Sequence, residues 1–575
     1  MLRRVSLVLS CWVLTVAVSV WAAETPVTVT PVTASHGMVV GGHPQAVAIG
    51  VEVLEAGGNA IDAAVATSLA IGVAEPYGSG LGGKLMLLYY EAKSGRTYAL
   101  DAMDAVGSVD RAAYLQRPVA DRSYGYGSVA VPGLPAGLWL AHQRWGAKRW
   151  PQLVKPAADL ARQGFRVLPK TRDLFQEQER KLKRGDAELA RLYLPGGDLP
   201  DTGSLLKNED LARTLDLLAQ FGRDGFYRGL VADAIVEASR HGGGALTRDD
   251  FARYEARISE PLAVDFRGYR LVGAPPPVSG PVFLFASLKV LEGETFADGL
   301  LRKPENLDRI GRAWNVVADR VWPMIGDDPA MRREVERFLA PDSIQAMRAR
   351  AFAPEAAGAK KVVWLEGSEF FEGSAAATTH FIVADKDGNI VCATQSLSLH
   401  FGAGVIAPGT GVVLNNSMSN LTFLDPKYPD DDPDGANGLA VGRRPRSTIA
   451  PTLVFRDGKP LIALGLPGGA RIPTGMLQVM LDRLVLDRPL GEAIGDTRFH
   501  FASSARPGLP AVFEAELSFT LGEAAAMRSY GWDINLLEEP GRGRGFGGLN
   551  AIEFNADGTK TGFADPRRTN AAAGY

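Results

Sequence analysis

The stretch Thr378-Thr-His-Phe-Ile-Val-Ala-Asp-Lys-Asp-Gly-Asn-Ile-Val391 decides the fold of this chain. It predicts a β-hairpin, because β-branched residues flank Asp387-Gly388, a pair that favours a tight turn. A threonine hydroxyl is a poor nucleophile unless a base lies beside it. Cleavage of the chain before Thr378 would supply that base, namely the new α-amino group of the threonine itself. On these residues alone, ordinary strand formation is the simpler explanation of Thr378-Thr379.

Composition limits the classes of function that the rest of the chain can serve. The chain has 575 residues, 46% of them hydrophobic and 22% charged, which is enough apolar sequence for a large core and more than one lobe. The formal net charge is only -3. Because binding to nucleic acid normally requires a strongly basic surface, we expect no nucleic-acid partner.

The N-terminus has the pattern of a secretory signal. Basic Met1-Leu-Arg-Arg4 precedes an apolar run from Val5 to Ala22, which predicts a signal peptide over residues 1-23. The alternative is an uncleaved anchor, since the run is nearly long enough to span a bilayer. Cleavage would leave a periplasmic or secreted protein with no stable membrane anchor. It would also remove Cys11, so that Cys392 could form no disulfide within the mature chain.

The remaining pattern alternates helices and strands in blocks. Residues 150-349 are mostly helical in pattern, residues 354-377 resemble a flexible linker, and the sequence from Thr378 onward is rich in strands. Residues 424-442 form a long polar loop that could act as a lid, although its acidic run is equally typical of a solvated face. This arrangement predicts a layered α/β or α+β core.

An acyl-transfer site needs a nucleophile, a base and donors to the developing oxyanion. Thr378 could supply the first two. Leu466-Pro-Gly-Gly-Ala-Arg471 could supply the donors, because paired glycines let backbone N–H groups approach a substrate closely. An ordinary strand-to-helix turn is the alternative explanation of these glycines. The sequence contains no H-x-x-x-H or C-x-x-C pair, so we expect neither a metal site nor a cofactor.

Several motifs together resemble the gamma-glutamyltransferase family of self-cleaving N-terminal-nucleophile enzymes. They are spread over nearly the whole chain and include Gly50 to Val65, Leu81-Gly-Gly83, Val131-Pro-Gly133, Gly225-Phe-Tyr227, Pro275 to Gly280, Thr378-Thr-His380, Leu414-Asn-Asn416, Arg444-Pro445, Pro467-Gly-Gly469, Asp565-Pro-Arg567 and Gly574-Tyr575. The resemblance implies a four-layer αββα sandwich of the α/β (α+β) class. It also implies a precursor cut into an associated large subunit, 24-377, and small subunit, 378-575.

The resemblance assigns roles to individual residues. Thr378 would be the nucleophile, and Ser396 lies where the family has a second threonine that bonds the nucleophile's hydroxyl. Gly468 and Gly469 match the oxyanion hole. A further pair, Ser447 and Thr448, matches two serines that bind the carboxylate of the substrate.

The chain departs from the family where the amino-acid head of a gamma-glutamyl group would bind. Met103 aligns with the arginine that grips the α-carboxylate, and Asn420 aligns with the aspartate that accepts from the α-ammonium. Ser398 and Ser417 align with an asparagine and a glutamine that assist. Another cation could replace the arginine, and Lys84 and Arg446 are the candidates.

Two substrate classes are therefore compatible with one mechanism. The first is a gamma-glutamyl amide such as glutathione, and the second is a glutaryl-like amide that lacks the α-ammonium, as taken by the cephalosporin-acylase branch of the family. The acyl group would pass from Thr378 to water or to an amine. A non-catalytic exported binding protein on the same scaffold is the alternative of a different class.

Overall fold

The computed structural model describes residues 27-118, 121-353, 376-422, 434-502, 512-516, 519-537 and 544-575. The predicted signal peptide, the linker before Ala376 and most of the polar loop at 424-442 lie outside these residues. Within them, no helix is both long enough and apolar enough to cross a bilayer.

The predicted hairpin is confirmed and lies at the centre of a seven-stranded sheet, here called the Thr378 sheet. All neighbours in it are antiparallel. In spatial order the strands are β19 (Asn570–Gly574), β2 (Met38–Gly42), β10 (Ala376–Ala384), β11 (Ile390–Leu399), β3 (Lys84–Glu91), β4 (Arg96–Ala102) and β7 (Arg257–Ser259).

A second antiparallel sheet, also of seven strands, packs against the Thr378 sheet. Its strands in spatial order are β1 (Val32–Ala34), β18 (Lys560–Ala564), β17 (Asn550–Phe554), β13 (Lys459–Gly465), β12 (Thr452–Arg456), β9 (Tyr269–Gly273) and β8 (Leu262–Phe266). Two smaller sheets pair β5 (Phe165–Arg166) with β6 (Leu205–Leu206), and join β14 (Phe499–Ala502), β15 (Val512–Glu516) and β16 (Asp533–Leu537).

Helices cover the outer faces of both large sheets. Those of the chain's first half lie mainly on the Thr378 sheet: α1 (Pro44–Glu55), α2 (Ala60–Ala74), α3 (Arg111–Leu115), α4 (Leu134–Trp145), α5 (Trp150–Gln163), α6 (Pro169–Glu177), α7 (Glu179–Arg184), α8 (Ala187–Tyr193), α9 (Glu209–Phe221), α10 (Asp224–Tyr227), α11 (Leu230–His241) and α12 (Arg248–Arg253). The second sheet carries α13 (Gly280–Leu291), α14 (Pro304–Met324), α15 (Met331–Phe338), α16 (Pro341–Ala351), α17 (Arg471–Leu484), α18 (Leu490–Gly495) and α19 (Leu521–Ser529).

Alternation of side chains along β10 explains why both faces of the Thr378 sheet are buried. Phe381 and Val383 belong to the core beneath the first-half helices, whereas Ile382 and Ala384 belong to the core shared with the second sheet. Successive side chains of a strand point to opposite faces, so one apolar strand can fill two cores. The layers therefore run helix, sheet, sheet, helix. This confirms the predicted four-layer αββα sandwich.

The long helix α2 determines the position of Glu75, the residue that follows it. It begins at Asn59, whose side chain and that of Asp62 form a reciprocal capping box that satisfies the first free N–H groups. The helix is buried along almost its whole length and packs against β10 and β11. It ends at Ala74, and this places the next residue, Glu75, beneath the start of β10.

Close approach of the two sheets requires glycine at position 465, at the end of β13. A Cβ atom built there would lie 2.2 Å from Cε1 of the buried His380 ring. We expect Gly465→Ala to destabilise the fold by about 2–4 kcal/mol, as overpacking of a rigid core does. Urea unfolding followed by tryptophan fluorescence measures the change.

The matched control is Gly522→Ala in the first turn of α19, where the nearest atom to an added Cβ is 3.9 Å away. This substitution should be neutral or stabilising by up to about 1 kcal/mol, because alanine has less backbone freedom to lose than glycine. Equal effects of the two substitutions would contradict the close sheet contact at Gly465.

Candidate active site

Thr378 lies at an irregularity in the pairing of β10 with β11. Ala377 pairs with Ser398 and Thr379 with Gln395, so that two residues of β11 stand opposite Thr378 alone. A bulge of this kind changes the direction in which the neighbouring side chains point. Here it brings Ser396 Oγ to 3.1 Å from Thr378 Oγ1. The predicted contact between the two hydroxyls is present.

Both hydroxyls also converge on the carbonyl oxygen of Ala377, the residue before the predicted nucleophile. Thr378 Oγ1 donates to this oxygen at 2.5 Å, and Ser396 Oγ donates to it as well. Thr378 is 6% exposed and Ser396 is 2% exposed. The peptide bond between Ala377 and Thr378 is therefore held against two hydroxyls in a site that excludes most water.

His380 and Cys392, which belong to the two strands of this hairpin, are not arranged for catalysis. Burial lowers the pKa of His380 to about 3, so the ring is neutral, and it shares a hydrogen bond with Thr394. Burial raises the pKa of the Cys392 thiol to about 12. Its Sγ contacts backbone carbonyls of the second sheet. Near neutral pH, His380 is therefore too weak a base, and Cys392 too rarely a thiolate, to act in catalysis.

The predicted oxyanion loop lies between β13 and α17. Gly468 has a φ of 147° and Gly469 a φ of 58°, both in the region that favours glycine. Among the residues that the structure describes, no oxygen accepts from the N–H group of either glycine. Thr448 Oγ1 donates to the carbonyl of Gly469 at 2.8 Å, which ties the predicted Ser447-Thr448 pair to this loop.

Four of the singled-out polar residues form one cluster around Lys84, here called the Lys84 cluster. Lys84 Nζ donates to the hydroxyls of Ser398 and Ser417, the latter at 2.8 Å. Ser398 also accepts from Asn420 Nδ2 at 3.2 Å. Asp104 completes the cluster, with Oδ2 at 3.8 Å from Lys84 Nζ and 2.5 Å from Ser417 Oγ.

Burial opposes charge on both ionisable members of the Lys84 cluster. It lowers the pKa of the Lys84 ammonium, and the Asp104 carboxylate limits that shift. It raises the pKa of Asp104, against the opposing effects of Lys84 and of the hydrogen bond from Ser417. The two groups could form an ion pair, or they could share one proton as neutral groups. In either state the pair is close to net neutrality.

Two other residues singled out from the sequence lie elsewhere. The Met103 side chain is fully buried in the hydrophobic core between the sheets, and its carbonyl accepts from Tyr254. The Arg446 guanidinium lies over the Trp322 ring, 4.0 Å from its centroid, and donates to the carbonyl of Trp322. Of the two cations considered as replacements for the missing arginine, Lys84 is the one that contacts Ser398 and Ser417.

A family profile described as Gamma-glutamyltranspeptidase matches residues 46–575. The chain belongs to this family. The profile spans the candidate nucleophile, the glycine loop and the Lys84 cluster together, and so confirms the resemblance drawn from the motifs. Since curated members carry enzyme names, membership also makes this chain a hydrolytic enzyme of the gamma-glutamyltranspeptidase family rather than a binding protein.

Two kinds of relative illustrate the range of the gamma-glutamyltranspeptidase family. The chain is 35% identical over 477 residues to a glutathione hydrolase proenzyme of Pseudomonas sp. (strain A14), covering 82% of each sequence. It is 34% identical over 548 residues to the acylase ACY 1 proenzyme of Pseudomonas sp. (strain SE83), covering 93% of this chain and 92% of the relative. A crystal structure of cephalosporin acylase from Bacillus halodurans superposes with a TM-score of 0.81 at 26% identity, covering 95% and 97%.

Sequence reasoning missed Glu75, a buried residue that contacts Thr379, the neighbour of Thr378. Its oxygens accept from the hydroxyls of Thr379 at 2.6 Å, Tyr77 at 3.2 Å and Thr569. Thr379 and Thr569 come from the predicted small subunit and Glu75 from the predicted large one. No local pattern reveals such a residue, because two of its three partners, Thr379 and Thr569, lie hundreds of positions away in the sequence.

We expect Glu75→Leu to destabilise the protein by about 2–5 kcal/mol, because three buried hydroxyls would lose their acceptor. Glu75→Gln keeps one acceptor oxygen and should cost less. Urea unfolding measures both. Glu91→Gln, at the surface end of β3, is the control and should change stability by no more than about 0.5 kcal/mol. Equal stability of Glu75→Leu and the wild type would contradict the anchoring role of Glu75.

Proposed function

We propose that this chain is the precursor of a threonine-dependent amide hydrolase and acyltransferase that first cleaves itself between Ala377 and Thr378. The observation that carries the proposal is the convergence of the Thr378 and Ser396 hydroxyls on the Ala377 carbonyl. In the first step Thr378 Oγ1 bonds to the carbonyl carbon, and the carbon–nitrogen bond breaks as the hydroxyl proton passes to the departing nitrogen. Water then hydrolyses the resulting ester and frees the Thr378 α-amine.

The same hydroxyl then acts on substrates. The free α-amine of Thr378 accepts the proton of its own hydroxyl, which attacks the amide carbonyl of the donor and forms an acyl-enzyme. The leaving amine takes that proton away. The N–H groups of Gly468 and Gly469 are the donors for the oxyanion, which is consistent with their unused hydrogen-bonding capacity. Water completes hydrolysis, and an amine in place of water completes transfer.

Two donor classes follow from the named relatives. Gamma-glutamyl amides such as glutathione are one class, because glutathione hydrolase proenzymes are among the similar sequences. Glutaryl-like amides are the second class, supported by the similar acylases and by the uncharged Met103 and Asn420 in place of a charged clamp. Donors of both classes are small molecules. The large and small subunits made from one precursor would be sufficient to bind and cleave them.

We also propose that the precursor is exported to the periplasm or secreted, with residues 1-23 removed. The support is the basic and apolar pattern of the N-terminus. N-terminal sequencing of the large fragment from the native host should start near Glu24. A large fragment that retains Met1 would contradict export by a cleaved signal.

We expect Thr378→Ala to abolish self-cleavage and all amide hydrolysis, because it removes the only hydroxyl proposed to attack. Denaturing mass spectrometry detects cleavage as two fragments that meet at 377/378, and a p-nitroanilide assay detects turnover. Thr379→Ala is the matched control. The Thr379 hydroxyl is directed to Glu75, so this variant should still cleave itself. A wild-type chain that stays uncut on long incubation, or substantial turnover by Thr378→Ala, would refute the proposal.

Ser396→Ala should slow self-cleavage by about 10- to 100-fold, because the Ala377 carbonyl loses one of its two hydroxyl donors. Ser396→Thr keeps a hydroxyl on the same carbon and should restore most of the rate. A time course of fragment formation on denaturing gels measures both. An unchanged rate in Ser396→Ala would show that the hydroxyl takes no part in cleavage.

A further inference from the structure

A buried cation lies beside the proposed nucleophile. Lys84 begins β3 and is the direct register partner of Ser396 on β11, the residue whose hydroxyl contacts Thr378. Register partners place their side chains on the same face of a sheet, with Cβ atoms about 5 Å apart. The Lys84 side chain is only 1% exposed. Its positive charge therefore lies within the wall of the site and not at the surface.

Stability alone does not account for this lysine. Burial of an ammonium and a carboxylate costs more free energy than their attraction usually returns, and apolar side chains of similar size often stabilise a core better. Lys84 and Asp104 are nevertheless both buried, at 3.8 Å from each other. The pair is surrounded by hydroxyls of the proposed substrate-binding residues, which suggests that it serves binding.

The direction of the hydrogen bonds shows where a ligand would meet the Lys84 cluster. The hydroxyl of Ser417 donates inward, to Asp104 at 2.5 Å. Ser398 Oγ accepts from both Lys84 and Asn420, so its own proton is free to be donated onward, to Ser417 Oγ at 2.9 Å or to a ligand. Lys84 and Ser417 are buried, whereas Ser398 and Asn420 are half-buried. The accessible side therefore presents O–H and N–H donors, with a cation behind them.

The backbone at Ser398 supports a binding role. Ser398 has a φ of 79°, in the left-handed region that residues with a side chain rarely adopt. Strained residues of this kind cluster at ligand sites, where the surrounding structure holds them in place. Ser398 lies two residues from Ser396 along β11, which corresponds to about 7 Å in an extended strand. A five-carbon acyl chain with a terminal carboxylate is of similar length.

We propose that Lys84 makes the enzyme selective for acyl donors whose chain ends in a carboxylate and carries no ammonium group, that is, monoamides of short dicarboxylic acids. The carboxylate accepts from Ser398 and Asn420, and it is attracted by the Lys84 ammonium, which donates to Ser398. Asp104 is the anion of the cluster and is already engaged by Lys84, Ser417 and the N–H of Gly133, so it is not available to an α-ammonium. This inference rests on the proposed acyl transfer through Thr378.

Three p-nitroanilides separate the possibilities: glutaryl, pentanoyl and gamma-glutamyl. The pentanoyl donor has the same chain length as the glutaryl donor but no terminal charge. For the self-cleaved wild-type enzyme we expect kcat/KM for the glutaryl donor to exceed that for the pentanoyl donor by at least about 10-fold, as a charge-assisted contact would give. The gamma-glutamyl donor should be slower than the glutaryl donor.

Lys84→Met preserves the length of the side chain and removes its charge. We expect kcat/KM for the glutaryl donor to fall by about 10- to 100-fold, mainly through KM, and that for the pentanoyl donor to stay within about 3-fold. Lys84→Gln keeps an N–H donor for Ser398 and Ser417 and provides the same test if Lys84→Met does not fold. The control is Lys181→Met, a second buried lysine that donates to the Gly402 carbonyl and should leave the donor preference unchanged.

The outcomes distinguish this inference from the proposed function. Equal use of glutaryl and pentanoyl donors by the wild type, or an equal loss on both donors in the Lys84 variants, would overturn the role of Lys84 and leave Thr378 catalysis standing. Turnover of the gamma-glutamyl donor as fast as the glutaryl donor would overturn the proposed substrate class. A wild-type chain that neither cleaves itself nor hydrolyses any of the three would refute the acyl transfer itself.

Discussion

The pairing of β10 with β11, irregular at Thr378, is the constraint on which the site depends. Apolar side chains bury both faces of these strands, so a slip of register would expose one core and is excluded. With the register fixed, the extra residue of β11 must be accommodated opposite Thr378. Ser396 and Leu397 lie opposite Thr378, and Ser398 follows them as the partner of Ala377. The Ser396 side chain contacts Thr378, and the Ser398 side chain belongs to the Lys84 cluster.

A second constraint is electrostatic and comes from β3, the next strand along. Lys84 brings a buried charge to the level of Ser396, and Asp104 compensates it. The side chain of Met103, the residue that the resemblance places at the family's arginine, is part of the apolar core. The cation that contacts Ser398 and Ser417 belongs instead to β3. A lysine at that place binds as a point charge and lacks the planar fork of a guanidinium.

Much of the fold could be predicted because its signals are local. Asp387-Gly388 between two apolar runs specifies the hairpin, and Asn59 specifies the start of α2, where the structure has both. The four layers were predicted through resemblance to a family and not from periodicity, since alternation in a strand does not say what covers each face. The contact between Thr378 and Ser396 was predicted in the same way.

Parts of the site escaped prediction because they depend on contacts between distant segments. Glu75 follows a helix without any recognisable motif, and its role is visible only when Thr379 and Thr569 are brought against it. From the sequence, Lys84 could be named only as one of two candidate cations. The structure places the Arg446 guanidinium over Trp322 and the Lys84 ammonium against Ser398, and no spacing along the chain indicates this difference.

The sequence by itself determined the hairpin with Thr378 at its head, the glycine pair that precedes α17, and membership of the gamma-glutamyltranspeptidase family. These features are encoded in short runs of residues whose backbone preferences act locally. Only the tertiary structure decided which charge lies near Thr378 and which hydroxyls surround that charge. Those contacts join β3, β11 and the segment around Ser417, and Coulomb and hydrogen-bond energies depend on distances in space that spacing along the chain does not fix.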